Sequence, residues 1–420
     1  MVQQSIPGRL PAAFATCVLV CLPLCASAAE APGEPAAAAW KLSGFGTLGA
    51  VHANTRSADF TASVLRADGA GHTRAWSLDV DSRLGAQLDL HQGAWSGVLQ
   101  VVSEQRPDGS YRPQLEWANV KYQLTPDLAL RAGRIALPVF LGAESRKVGY
   151  TIPWVRTPVE VYGSLPISSS DGLDATWRWS TGPVQHATQV FAGRTNQDLL
   201  NGLHIKADNI VGLSHSIERG AFSARLSAAG ARLNTAIGEE LFAVLPAFGP
   251  AGSALAERYA IRDKRVSMIS AGMSYDPGAW FVSAECGRTR TDSLLGGGTS
   301  AYVGVGLRRG AFTPYIGYAQ VRADVPTRDP GLPLDGLPPP LAAAAGQVNA
   351  GINELLATIP AQSTWSAGVR WDAATNIALK LQLERVRPRD GTRGTLINKQ
   401  PDFRTDHAVH VGSVALDFVF

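Results

Sequence analysis

The chain has 420 residues with 38 basic and 35 acidic side chains, a formal net charge of +3, and 17% charged residues overall. A balance this close argues against nucleic acid as a partner, because binding to a polyphosphate backbone draws on an excess of lysine and arginine. Beyond the N-terminal segment, no stretch approaches the roughly 18 to 20 consecutive apolar residues that a membrane-spanning helix needs. Any insertion into a membrane therefore has to use strands.

The N-terminus has the features of an export signal. Arg9 precedes an apolar run, and Ala-Ser-Ala follows at 26–28 as an A-x-A cleavage site. We predict a signal peptide over 1–28 and a short periplasmic segment over 29–40. Three of the four cysteines lie in the signal and only Cys286 remains, so no intrachain disulfide is expected.

From residue 41 onward, segments of alternating apolar and polar side chains recur at the length of a tilted strand that crosses the hydrocarbon layer, about ten residues. We count about sixteen such segments, and short connections rich in Gly, Pro and Asp alternate with long ones. This rhythm is typical of the tight turns and outer loops of a membrane barrel. The predicted strands are 41–53, 76–89, 94–104, 113–124, 128–135, 171–180, 183–193, 204–218, 220–232, 264–275, 279–290, 299–309, 311–322, 363–372, 375–387 and 408–420.

The two faces of each predicted strand carry different side chains. In 377–384, aliphatic residues at odd positions oppose Lys, Gln and Glu at even positions, and 78–90 divides in the same way, with Val80 on the apolar face. A barrel of about sixteen strands is too wide for side chains to fill, so the charged faces are expected to surround water and the apolar faces to contact lipid. An arginine at Leu381 should then cost about 2 to 4 kcal/mol, and one at Gln382 should be nearly neutral.

Aromatic side chains cluster beside the short turns, as in the girdle of a membrane interface. The last segment alternates down to Phe420, which we interpret as the signal for membrane insertion. The prediction is an all-β transmembrane antiparallel barrel over 41–420 in the cell outer membrane. Its expected partners there are outer-membrane lipid, lipopolysaccharide and the assembly machinery. The girdle should contain Trp95, Tyr122, Phe222, Tyr275, Trp280, Phe312, Trp371, Phe418 and Phe420.

With this architecture the chain resembles the general porins of Gram-negative bacteria. The resemblance rests on the opening strand at 42–49, the terminal Phe420 and the long connection after the fifth predicted strand. It implies a homotrimer of barrels of about sixteen strands, and a third extracellular loop, here 136–170, folded into the lumen as the constriction. The segment 137–142 departs from the acidic Pro-Glu-Phe-Gly-Gly-type loop motif because it contains no acid, which puts cation selectivity in doubt.

Charged side chains of the wall and of the loop are the candidate pore residues. Rings of charge and the width of the opening determine selectivity in a pore. Predicted acids and bases of the lumen are interleaved, so we expect passive diffusion of ions and small hydrophilic solutes with weak ion selectivity. Whether cations or anions are preferred stays open. The wall candidates are Arg83, Lys121, Arg131 and Arg178, with Arg134 near a strand end, and the loop candidates are Glu144, Arg146, Lys147, Arg156 and Glu160.

Two other functions stay open on the sequence. The bases of the loop fit a substrate-specific channel for phosphate or carboxylates, although Glu144 and Glu160 oppose their charge, and a sugar channel would need lumen aromatics. An outer-membrane lipid hydrolase would need a nucleophile and a base on adjacent strands, and no histidine forms a recognisable constellation with Ser and Asp. No metal-ligand spacing or phosphate-binding loop is found, so we predict a protein that is not an enzyme and needs no cofactor.

Overall fold

The computed structural model describes residues 38–199 and 202–420, so the predicted signal peptide and most of 29–40 lie outside the described residues. Sixteen antiparallel strands form one closed sheet, in which each strand pairs with the next and the last pairs with the first. The predicted fold class is therefore confirmed. The strands are β1 (Ala39–Ala53), β2 (Arg83–Gln92), β3 (Trp95–Glu104), β4 (Gln114–Gln123), β5 (Leu128–Ala136), β6 (Ser169–Thr181), β7 (Val184–Asp198), β8 (His204–Arg219), β9 (Phe222–Thr235), β10 (Lys264–Tyr275), β11 (Trp280–Thr291), β12 (Gly298–Leu307), β13 (Phe312–Ala323), β14 (Gln362–Ala374), β15 (Ile377–Pro388) and β16 (Val409–Val419).

Each predicted strand corresponds to an observed one, and the largest difference is at the start of β2. The prediction began this strand at 76, whereas β2 begins at Arg83. Val80 was expected on the lipid face, but this assignment is wrong because Val80 is fully buried in a cluster with Val51 and Phe60. Apolar residues of the long loops pack together with the end of β1 there, and their alternation imitates that of a strand.

Outside this loop cluster the alternation of faces holds. The outer wall exposes aliphatic side chains such as Leu173 (62%) and Leu383 (71%), whereas Lys380 on the inner face is fully buried. Aromatic rings beside the short turns pack in pairs across neighbouring strands, which builds the predicted girdle at the end of the barrel that carries the turns. The pairs and their ring-centroid distances are Trp95 with Tyr122 (4.6 Å), Tyr275 with Trp280 (5.4 Å) and Phe312 with Trp371 (5.9 Å).

The long connections lie at the opposite end of the barrel and contain the helices. These are α1 (Val159–Tyr162), α2 (Glu239–Val244), α3 (Gly249–Tyr259) and α4 (Pro339–Leu356). Among the described residues, none of the helices combines the length and the apolar character needed to cross a membrane. The connection 137–168 differs from the others because it folds down into the barrel.

Candidate functional site

The first part of the loop 137–168 is fixed to the inner wall by hydrogen bonds from side chains of β9 to β11. Ser227 Oγ donates to the carbonyl of Pro138 at 3.0 Å, and the Arg225 guanidinium donates to the carbonyl of Phe140 at 2.7 Å. Glu285 on β11 accepts the backbone N–H of Leu141 at 2.7 Å and the hydroxyl of Tyr162 at 2.6 Å. Backbone groups that leave a sheet inside a barrel need such partners, because an unpaired buried N–H or C=O is costly.

The middle of the loop is held by side chains of β14 and β15. Arg370 and Lys380 donate hydrogen bonds to four carbonyls within 149–154, at distances from 2.6 to 3.2 Å. Gln382 Oε1 accepts the backbone N–H of Val155 at 3.1 Å. The inner wall on this side of the barrel therefore serves as a docking surface for the loop.

Trp154 packs the loop against three aromatic side chains that point inward from β11, β12 and β13. Its ring lies 5.7 Å from Phe281, 6.3 Å from Tyr302 and 5.7 Å from Tyr315, all near edge-to-face. Gly304 makes room for the indole, because a Cβ at this position would lie 2.4 Å from it. Sequence reasoning missed these inward aromatics, although their position on the polar face of the alternation was a legible signal.

Arg156 is the centre of a buried polar network that joins the loop to three other parts of the chain. Its guanidinium donates to Asp81 in two bonds of 2.9 and 2.7 Å and to Ser413 Oγ at 2.6 Å, and it also pairs with Glu384. The Phe60 ring lies 5.0 Å from the guanidinium carbon. Burial alone would lower the pKa of Arg156, but the charges of Asp81 and Glu384 outweigh it and raise that pKa above its usual value. Arg156 therefore stays charged.

The two loop residues Arg156 and Glu160 anchor the loop to the barrel, and both side chains are buried. Glu160 is 2% exposed and accepts hydrogen bonds from Gln362 Nε2 at 2.7 Å and from the Thr364 hydroxyl. Both charged groups are thus satisfied within the protein, so neither presents a free charge to the lumen.

The remaining loop candidates lie nearer to the opening. Glu144 is half-exposed and pairs with Arg225 at 2.9 Å, while Arg146 is partly buried and lies 3.3 Å from the carbonyl of Leu165. Lys147 forms an ion pair with Glu104 on β3. This pair reaches across to the wall that faces the docked loop.

Glu104 is surrounded by more bases than it can neutralise. Arg66 pairs with it at 2.8 Å, Arg83 lies 3.9 Å away, and Lys147 is its third basic neighbour. Three bases around one carboxylate leave a local surplus of positive charge, to which β2 contributes Arg83 and the loops contribute Arg66 and Lys147. Arg66 was not among the sequence candidates, because it belongs to a loop that alternation does not assign to a face.

A second group of bases lies further toward the turns on the same wall. Lys121 on β4 is directly opposite Arg131 on β5, and Arg131 pairs with Asp174 on β6 at 2.7 Å. Arg178 on β6 interacts with this group through its charge. Within the described residues, Asp174 is the one carboxylate hydrogen-bonded to these bases, so here too positive charge is in surplus.

Arg134 lies elsewhere. It shares the outward side of β5 with Leu130 and Ala132, and it pairs with Asp171 on β6 at 2.7 Å near the rim that carries the long loops. This corrects the expectation that Arg134 is a pore residue. The alternation of β5 already placed it with the apolar residues, and its charge near a strand end was misleading.

The exposure of inner side chains shows where the opening lies. Inward residues of β14 to β16, such as Lys380, Gln382 and Ser413, are buried beneath the loop. By contrast, Lys121 and Arg178 on the opposite wall keep part of their surface accessible. The accessible part of the lumen therefore lies between the docked loop and the inner wall of β2 to β6.

These features define the class of protein as a closed sixteen-stranded barrel with one loop folded into its lumen. No protein-family model and no curated protein matches the sequence. Solved structures do match, and at their low identities they show the fold. The chain has the fold of the general porins, so the resemblance predicted from the sequence is confirmed at that level.

Three solved structures illustrate the likeness. Salmonella typhi OmpF in complex with daunomycin has a TM-score of 0.55 at 12% identity, covering 91% of this chain and 97% of that one. The outer membrane channel DcaP of Acinetobacter baumannii has a TM-score of 0.56 at 11% identity, covering 92% and 99%. A loop L8 deletion mutant of OmpT, an outer membrane protein of Vibrio cholerae, has a TM-score of 0.50 at 9% identity, covering 91% and 99%.

Proposed function

We propose that this protein is an outer-membrane porin through which ions and small hydrophilic solutes diffuse passively. The observation that carries the proposal is the loop 137–168, which docks on one side of the lumen and leaves charged, accessible side chains on the other. A barrel with a packed interior would not have accessible charged side chains on its inner wall, whereas a water-filled channel requires them. The proposal also includes export by the predicted signal peptide, insertion by the assembly machinery and a homotrimeric state.

We further infer that the channel prefers anions. The loop acids are neutralised by their partners: Glu160 is buried and Glu144 pairs with Arg225. Two groups of three bases around one carboxylate lie on the opposite side of the opening, centred on Glu104 and Asp174, and Arg66 and Lys147 of the first group come from loops. A narrow passage lined by surplus positive charge concentrates anions and repels cations.

The test is the reversal potential of the full-length protein in planar lipid bilayers under a salt gradient. Wild-type protein should show anion preference, and the double variant Lys121→Gln with Arg178→Gln should shift the reversal potential toward cations. The control is Arg262→Gln with Arg404→Gln, which removes two exposed arginines of the extracellular loops and should leave it unchanged. Absence of any conductance would refute the porin proposal. An unchanged reversal potential in the Lys121→Gln, Arg178→Gln variant would show that these two bases do not line the opening.

A channel specific for carboxylates or phosphate is the second candidate, and the same two basic groups favour it. A sugar channel is less supported, because the inward aromatics Tyr302 and Tyr315 are buried under the loop and offer no stacking track. Liposome swelling with neutral sugars and anions of matched size separates these possibilities. We also propose that the protein is not a hydrolase, which a phospholipase assay on the detergent-solubilised protein tests.

A further inference from the structure

A cluster of imidazole and aromatic side chains lies on the outward face of the barrel, beside the short turns that join β6 to β7 and β8 to β9. We call it the imidazole cluster. Strand alternation places its members on the same face as Leu173, Val190 and Leu213, which are all exposed. The members are Trp179, His186, Thr188 and His215.

The strand register brings the two imidazole rings together and supports each of them from another side. His186 is directly opposite Trp179, and the two rings are stacked with centroids 5.0 Å apart and an interplanar angle of 5°. His215 is directly opposite Thr188, and Thr188 Oγ1 lies 2.8 Å from His215 Nδ1. His186 and His215 are therefore diagonal neighbours across β7 and β8, a separation that long side chains can bridge.

One nitrogen of each ring faces the other ring at a distance suited to a shared metal ion. His186 Nδ1 lies 3.5 Å from His215 Nε2, which is long for a hydrogen bond, since such bonds are mostly about 2.9 to 3.0 Å. Zn²⁺ binds imidazole nitrogens at about 2.0 to 2.1 Å in tetrahedral geometry, so two such nitrogens stand about 3.3 to 3.4 Å apart. The right angles of square-planar coordination would bring them to about 2.9 Å. The observed distance therefore fits a tetrahedral ion.

The other two ring nitrogens agree with this arrangement. When both facing nitrogens supply lone pairs to a metal, the N–H groups lie on His215 Nδ1 and His186 Nε2. His215 Nδ1 then donates to Thr188 Oγ1, which is the usual second hydrogen bond of a metal-binding histidine. His186 Nε2 is buried and has no hydrogen-bond partner within 38–199 and 202–420. An unpaired buried group is costly, and a metal–nitrogen bond to the same ring offsets that cost.

We propose that His186 and His215 bind one Zn²⁺ ion on the outward face of the barrel. The ion joins β7 to β8 near their short-turn ends, and the two open positions of its tetrahedron are available to water or to another oxygen ligand. The sequence gives no signal of this site, because 29 positions separate the two histidines. The inference goes beyond the proposed channel and does not depend on it.

The experiment measures Zn²⁺ binding to the detergent-solubilised full-length protein by isothermal titration calorimetry, with protein prepared without a polyhistidine tag. Wild-type protein should bind one Zn²⁺ per chain at the imidazole cluster. His186→Gln should lose this binding, because it removes one of the two ligands. Thr188→Val keeps both imidazoles and removes the oxygen that orients His215, so it should weaken binding by about 10- to 100-fold.

The matched control is His204→Gln with His407→Gln. These two histidines lie 3.0 Å from Asp198 and 2.9 Å from Asp406 at the end of the barrel that carries the long loops. They are competing pairs of metal-binding side chains, since carboxylate and imidazole both ligate Zn²⁺. The control should bind Zn²⁺ at the imidazole cluster with wild-type affinity.

Three results would overturn the proposal: no saturable Zn²⁺ binding by wild-type protein, wild-type affinity in either variant of the imidazole cluster, or an equal loss in the control, which would locate the ion among the long loops. Folding of each variant is checked by the heat-dependent mobility of the barrel on gels. If His186→Gln does not fold, the affinity of Thr188→Val decides. Conductance of the same preparations separates the two proposals, because a channel that conducts normally without binding Zn²⁺ refutes only the metal site.

Discussion

Replacing Arg156 with methionine should release the constriction loop without opening the barrel. Methionine keeps an aliphatic stem beside Phe60, but it removes the bonds to Ser413 and Asp81 and leaves Asp81 and Glu384 buried without their counter-charge. Removing one partner of a buried ion pair costs about 3 to 5 kcal/mol. Arg156 belongs to the loop and makes no strand pairing, so this cost falls on the docked state of the loop.

A loss of that size raises the ratio of undocked to docked loop by a factor of about one hundred to several thousand. In single-channel recordings we expect larger and noisier open currents, while the folded barrel keeps its mobility on gels. Arg404→Met is the control, because Arg404 forms an exposed pair with Asp406 that contributes little. If conductance and noise of the Arg156 variant equal those of wild type, then the network does not hold the loop in place.

Two further substitutions, each with a control, test the lipid-facing wall and the docking of the loop. Leu381→Arg places a charge on the exposed outer face and should cost about 2 to 4 kcal/mol in reversible folding into lipid vesicles, whereas Gln189→Arg in the lumen should cost far less; equal costs would contradict the face assignment. Gly304→Ala places a Cβ 2.4 Å from the Trp154 indole and should weaken loop docking by about 1 to 3 kcal/mol, again seen as increased conductance. Gly97→Ala meets only ordinary contacts of 3.7 Å and longer, and it should behave as wild type.

The strands and their faces could be predicted because both depend on local chemistry. A wall with lipid on one side and water on the other imposes a two-residue period on every strand, and the turns between strands need Gly, Asp or Pro. The barrel, its aromatic girdle and the position of the internal loop could therefore be predicted from the sequence. Arg134 was misplaced even though β5 had the period that would have corrected it.

The sequence could not show which residues contact an inward-facing side chain. Gln382 was expected to tolerate arginine, yet it is 4% exposed and hydrogen-bonds the loop and Tyr315. Arg156 and Glu160 were expected at the opening, and both are buried in docking contacts. These outcomes depend on contacts between residues from 67 to 257 positions apart, and alternation identifies only the side of the wall on which a residue lies.

The partners of Arg156 also determine an order of events in assembly. Asp81 is 75 positions away in the chain, Glu384 is 228 positions away and Ser413 is 257 positions away, and they come together only when the strands around β1 have met. Contacts between such distant segments form late, because the connecting chain must first be ordered. We therefore expect the loop to dock only after the strands that carry these partners have paired, so that the lumen becomes narrower late in folding.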